Sequence, residues 1–313
     1  MSGGAMSFRE WPPQYAAHGL ATFPVVVGPG SKKPLVSNYA FFIKPIGIYP
    51  YFDKIQFWVC SPLDRITLAV LKKECGRGGI HIENRPARFN NRHRQYRQRI
   101  ELRQPTKTAL QWLVGRDDVL INRAEIAFDL VFKYRADTDE AWEFLHQHLI
   151  RRWHGKRQEI CVKWGIGNTR YDASRSAPNM ILFYPQDHSR ITGEVNCLHL
   201  EWRLNGLKAV CAAGIKSGQD PLEFEHRAFW QKRLRLYTVD RRRLGRLLRN
   251  RLTGTRRRSS RTYQSSPRWM DSRTGEVYAR SYDTVQELID KLRSLCRIHR
   301  ALVSISNEAL LPE

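Results

Sequence analysis

Acidic side chains are scarce in this sequence: 30 Asp and Glu stand against 53 Lys and Arg, a formal net charge of +23 over 313 residues. Long apolar runs are missing too. None approaches the roughly 20 residues a membrane-spanning helix needs, and nothing near the N-terminus reads as a signal peptide. Paired cysteine motifs are also absent. Cys60, Cys75, Cys161, Cys197, Cys211 and Cys296 form no C-x-x-C pair and are spaced for neither a zinc site nor a disulfide framework. A reducing, cytoplasmic compartment is therefore expected. What is present suffices for a core: 42% of residues are hydrophobic, with nine Trp and thirteen Phe. So much unbalanced positive charge repels itself in a compact chain and points to a polyanionic partner. Nucleic acid is the first choice, since phosphate contacts supply most non-specific affinity. A membrane surface or a ribosome is the alternative, and no segment has the basic and apolar faces that a membrane-surface helix requires.

The chain divides by composition. Residues 1–52 are rich in Gly, Pro and aromatics and read as an extension. Residues 53–252 carry the main pattern, 253–272 read as a basic linker, and 273–313 as a terminal strand and helix segment. In the main part, 53–59 and 97–103 alternate apolar and polar residues as strands do. The stretch between them, 76–103, is basic, with Phe89 and Tyr96 interleaved. Residues 106–114 read as a helix and 119–133 as a long strand. Residues 138–153 read as a helix capped by Asp137 with Glu140 three residues on; its face carries Trp142, Leu145, Leu149 and Trp153. Strand signals follow at 158–164, 169–172, 179–184 and 196–204, with a helix from Gly206. Residues 226–252 read as mainly helical and very basic, and a last helix runs from Thr284 to His299, with Asp283 and Gln286 as its capping pair. The fold class expected is α+β: a mostly antiparallel central sheet with packed helices and a basic helical C-terminal region.

Two strands place chemistry on one face. In residues 123–132, Ala124, Ile126, Phe128, Leu130 and Phe132 point one way; Arg123, Glu125, Ala127 and Asp129 point the other. In 196–204, Leu198, Leu200, Trp202 and Leu204 oppose His199, Glu201 and Arg203. Carboxylates meeting across strands can hold Mg²⁺ or Mn²⁺, because hard cations take oxygen ligands. Residues four apart on a strand are about 13 Å apart, so Glu125 and Asp129 cannot easily share an ion. Either of them could share one with Glu201, and His199 could join. Cross-strand Arg–carboxylate pairs on a solvated face explain the same pattern without a metal. His146 and His148 form an H-x-H, but inside a helix residues i and i+2 diverge by about 200°, so no shared metal site is expected from them.

Tyr171 follows a Gly/Asn turn signal and lies between Arg170 and Arg175. A phenol with pKa near 10 is a poor nucleophile unless cations and a metal-bound phosphate activate it. The order of the elements carries a resemblance: Arg123, Glu125 and Asp129; then Thr169, Tyr171, Ser174, Arg175 and Ser176; then Phe183 and Tyr184; then Glu201 and Arg203. Over about residues 50–250 this resembles the replication initiation factor family, the trans-acting initiators of rolling-circle plasmids, filamentous phages and some conjugative elements. The family's Gly before the tyrosine-motif serine is Ala173 here, and Pro185 and Gln186 stand where a Lys is expected. The resemblance implies relaxase- or RRM-like halves, origin DNA as substrate, and a tyrosine that attacks one strand and becomes joined to its 5′ phosphate. By position Tyr171 is the nucleophile. Asp129, Glu201 and Glu125 are the metal or base carboxylates with Mg²⁺ or Mn²⁺, and Arg175 and Arg203 hold phosphate. A homodimer and a helicase partner are compatible with it. The other reading is a non-catalytic nucleic-acid-binding remnant of a mobile-element replication protein. Residues 16–34 also resemble the opening of primase-polymerase domains, but no D-x-D follows, so no polymerase activity is inferred. The remaining DNA contacts expected are Arg123 and Arg170 beside the centre, and Arg241, Arg242, Arg243, Arg256, Arg257 and Arg258 in the basic helix and tail, suited to phosphate and not to base readout.

Overall fold

The computed structural model describes residues 43–76, 78–84, 96–150, 160–164, 167–172, 177–240, 242–247, 285–291 and 298–312. Residues 1–42, the 253–272 linker, Trp153, Arg175, Asp283, Arg241 and Arg256 to Arg258 lie outside them. The centre is an eight-stranded antiparallel sheet in the order β2-β3-β1-β4-β8-β7-β6-β5. Its strands are β1 (Gly47–Val59), β2 (Ile80–Asn84), β3 (Gln98–Arg103), β4 (Val119–Val131), β5 (Ile160–Trp164), β6 (Gly167–Tyr171), β7 (Asn179–His188) and β8 (Val195–Asn205). The helices are α1 (Arg65–Lys73), α2 (Lys107–Gln111), α3 (Arg135–His148), α4 (Leu207–Ala212) and α5 (His226–Gln231). Thus the α+β class and the antiparallel sheet are as the alternation indicated.

The first half runs β1-α1-β2-β3-α2-β4 with β1 between β3 and β4, the split βαβ arrangement. Side-chain caps start both of its helices: Asp64 accepts from Thr67 N at 2.8 Å, and Thr106 accepts from Ala109 N at 3.2 Å. The second half is an antiparallel meander, β5 to β8, that returns to lay β8 against β4. Its helix α3 starts at Arg135 after Tyr134 and has no side-chain cap, so Asp137 lies in the first turn and is not the cap.

One face of the sheet is covered by helices. Ile55 and Phe57 of β1, Ile126 and Phe128 of β4, Leu198 and Leu200 of β8 and Phe183 of β7 share a single core with Leu71 of α1, Leu110 of α2, Leu145 of α3, Val210 of α4 and Trp230 of α5. Trp230 is fully buried and meets the Phe128 ring edge-on at 4.6 Å between centroids. Trp230→Ala is therefore expected to cost about 3–5 kcal/mol, read as a lower urea midpoint with unchanged slope.

The basic stretch 226–252 is not one helix. After α5 the chain forms β9 (Leu236–Val239), which pairs with β10 (Leu302–Ile305); then a short helix, α6, spans 242–247. A partner more than sixty residues away decides the conformation of Leu236–Val239, which local composition does not register. Helix α7 (Val285–Lys291) packs Val285 and Ile289 against Ile150 and Leu302. Strand β2 lies inside the basic stretch before β3, where its sequence signal is weak: Ile80 and Ile82 alternate, but Gly and Arg flank them.

Candidate metal and nucleic-acid site

The other face of the sheet bears the polar residues of β1, β4 and β8. Period-2 geometry puts Glu125 and Asp129 of β4 and His199, Glu201 and Arg203 of β8 there, with Glu125 opposite Arg203 and Asp129 opposite His199. Strand β1 contributes through a bulge. Its register with β4 slips between Phe52 and Lys54, so Phe52 faces Ile126, Lys54 faces Glu125, and Asp53 is the extra residue. The bulge keeps Phe52 and Ile55 in the helix-side core while Tyr51, Asp53 and Lys54 all serve the opposite face. Asp53, Glu125 and Glu201 offer carboxylate oxygens that all lie within 4.8 Å of one another. Three segments far apart in sequence thus converge on a space one ion wide.

Asp129 does something else. It lies outside that trio, and its oxygens are taken by Ser189 Oγ at 2.7 Å, His199 Nδ1 at 2.8 Å, Tyr51 Oη at 3.2 Å and Arg190 N at 3.3 Å. Of the carboxylates singled out from sequence, Glu125 and Glu201 come together and Asp129 instead orients the His199 ring. The other ring nitrogen, Nε2, is 3.5 Å from Glu201 Oε2 and makes no hydrogen bond. His199 is 0% exposed. A fully buried nitrogen without a hydrogen-bond partner, beside one carboxylate of the trio and with its other nitrogen already fixed by a carboxylate, is a candidate further ligand for a divalent cation held by those oxygens.

Above this acidic floor lies a basic roof. Lys54 reaches Glu125 at 3.2 Å, Arg123 also pairs with Glu125, Arg203 pairs with Glu201, and Arg190 reaches Asp53 at 3.1 Å. Glu125 and Glu201 are 1% exposed, while the side chains of the four cations are 19–40% exposed. Burial alone would raise the Glu201 carboxyl, but the His199 imidazole and the Arg203 guanidinium hold it well below the usual carboxylate range. Burial likewise opposes charge on His199, yet the charges around it and its hydrogen bond to Asp129 keep the imidazole well above its ordinary 6.5, so a cation that takes Nε2 as a ligand must displace its proton. Glu125 goes the other way: burial and then the charge of Glu201 raise it above 4.5.

That shift has a sign. A carboxyl raised on folding makes its full contribution below its unfolded pKa and loses it as pH rises through the folded value. Glu125→Gln, in chelator, should therefore match the parent's melting temperature near pH 4 and exceed it at pH 8. The rise is about 2–4 °C per kcal/mol of strain removed. Thermal denaturation at the two pH values measures it, and lower stability at pH 8 would show that Glu125 is held mainly by its cations.

The remaining sequence-derived residues are distributed as follows. Tyr171 ends β6 opposite Leu182 of β7, and Leu182 is opposite Glu201 of β8. Tyr171 and Glu201 thus lie on one cross-strand row, two strands or roughly 10 Å apart between backbones. Arg170 is 2% exposed, with its guanidinium 2.8 Å from His146 Nε2, under α3. Its burial on the helix side removes it from the expected phosphate contacts. His146 stacks on Trp142 and His148 bonds Tyr237 O, so the two histidines have separate structural roles. Arg242 is exposed, and Arg243 pairs with Asp240 at 3.1 Å. Asp53, Tyr51, Lys54, Ser189 and Arg190 were missed. For Asp53 and Lys54 a signal exists: two polar residues between Phe52 and Ile55 break the period of two, as a bulge does.

No family model matches this chain, and no curated protein does. A solved structure is similar to it: the rolling circle replication initiator protein from Geobacillus stearothermophilus, at 14% identity, covering 75% of this chain and 96% of that one, with a TM-score of 0.32. The overlay is too loose to transfer a residue or an activity. Among the described residues, no helix is long and apolar enough to cross a membrane.

Proposed function

We propose that this protein binds DNA and nicks one strand through Tyr171, with a divalent cation at Asp53, Glu125, Glu201 and His199, as a replication initiation protein does. The observation that carries the reading is the acidic floor beneath a basic roof. A phosphodiester arriving over the sheet meets Lys54, Arg123, Arg190 and Arg203, while carboxylates for a hard cation lie directly below. A bound Mg²⁺ or Mn²⁺ supplies Lewis-acid polarisation of a phosphoryl oxygen. The chain's own groups do the rest. The arginines orient and neutralise the phosphate. Asp129 and Tyr51 fix the His199 ring. Tyr171 Oη attacks phosphorus; the P–O3′ bond breaks, the 5′ phosphate remains as a tyrosine ester, and the proton lost by the phenol ends on the 3′ oxygen.

The reading sets the protein in a reducing compartment, where the free thiols of Cys60, Cys75, Cys197 and Cys211 persist. One observation favours the second reading, a nucleic-acid-binding protein without catalysis: each carboxylate of the floor already has a basic partner. Incubation of the full chain with single-stranded DNA and Mn²⁺ separates the two. A covalent adduct lost in Tyr171→Phe supports nicking. Salt-sensitive binding with no adduct supports the second reading.

A further inference from the structure

The four cations of the roof are not equivalent. Lys54, Arg123 and Arg203 project from strands and pair with Glu125 or Glu201. Arg190 comes from the 189–193 turn between β7 and β8, where Gly193 takes φ +75° and bonds back to Ser189 O. Its backbone is held, since Ser189 Oγ and Arg190 N both bond Asp129. Its side chain is the most exposed of the four at 40% and spans the site: Nη1 lies 3.1 and 3.3 Å from the two Asp53 oxygens, and Nη2 donates to Tyr184 Oη at 2.9 Å. Among the described residues, Arg190 is the cation within salt-bridge distance of Asp53. Gln104 Nε2 takes Asp53 Oδ1 at 2.8 Å.

Both Asp53 oxygens are therefore engaged by the group that would have to yield to an ion. A divalent cation and a guanidinium on one carboxylate repel each other strongly so close together. A guanidinium displaced there needs another anion, and phosphate matches its fork of donors. We propose that Arg190 is an exchangeable counterion: it neutralises Asp53 while the site lacks a divalent cation, and moves onto a phosphate of single-stranded DNA when Asp53 takes the cation. This rests on the metal reading above. It makes cation and DNA binding mutually reinforcing, and linkage requires each to tighten the other by the same factor.

The test is calorimetric titration of the full-length Tyr171→Phe protein with Mn²⁺, with and without a mixed-sequence single-stranded oligonucleotide. The oligonucleotide is expected to tighten Mn²⁺ binding about tenfold, within the usual range of couplings between sites. Adding Arg190→Gln should tighten Mn²⁺ binding alone by a similar factor and bring the coupling close to one. Arg190→Lys, which keeps the charge but not the fork, should fall between. If the Arg190→Gln protein binds Mn²⁺ no better than its parent and keeps the coupling, the inference is overturned and the metal reading stands. If the parent binds no Mn²⁺ at all, both fall.

Discussion

Tyr171→Phe is expected to abolish the covalent protein–DNA adduct altogether, because phenylalanine has no oxygen to form the ester. The effect exceeds any loss from a positioning residue, where removing one donor leaves a rate lower by about 10²–10³-fold. The informative comparison is with the other tyrosines. Tyr51 is held by Asp129 and His199, and burial with the Asp129 charge pushes its phenol far up. Burial raises Tyr184 as well, although the His199 and Arg190 charges work against it. Both phenols are kept protonated and hydrogen-bonded, as scaffold groups are. Tyr51→Phe and Tyr184→Phe should therefore still form the adduct, more slowly, on a denaturing gel that resolves protein joined to labelled DNA. An adduct that survives in Tyr171→Phe and vanishes in Tyr184→Phe would move the nucleophile to β7.

Asp53→Asn is expected to weaken Mn²⁺ binding by at least about 100-fold, the upper end of what even indirect partners of a metal ligand cost. Asparagine keeps the size of the side chain and one acceptor oxygen but loses the charge. Asp129→Asn makes the contrast. Asp129 touches the site through His199, so its loss should act on ring orientation, a smaller effect of about 10- to 100-fold. Titration of the two variants side by side ranks them. Equal losses would mean that Asp129 acts on the ion as strongly as Asp53; no loss in Asp53→Asn would mean that the trio of Asp53, Glu125 and Glu201 is only an ion-pair cluster.

That ranking differs from the one the family resemblance implies, which puts Asp129 and Glu201 first; the alternation leaves Glu125 and Asp129 as equal candidates to meet Glu201. The structure keeps both strands: Ala124 to Phe132 and Leu198 to Leu204 turn their apolar sides to the helices. Asp53 was hidden for a physical reason. A bulge adds one residue, so the polar face of β1 carries two consecutive polar residues and the simple alternation breaks where the site needs it. Arg190 was hidden differently, since a turn residue has no periodicity and its link to Asp53 spans 137 positions. The basic run after α5 misled by composition, because Leu236–Val239 takes its conformation from Leu302–Ile305.

The charge imbalance, the two-faced strands and the α+β class follow from local chemistry: side-chain period, cap residues and the ratio of Arg and Lys to Asp and Glu all act within a few residues. The order of the strands does not. Laying β8 beside β4 and β4 beside β1 is what brings Asp53, Glu125 and Glu201 to within one ion's width and sets Tyr171 on the row of Glu201. Long-range backbone pairing sets those distances, and the helices that bury the opposite face hold them.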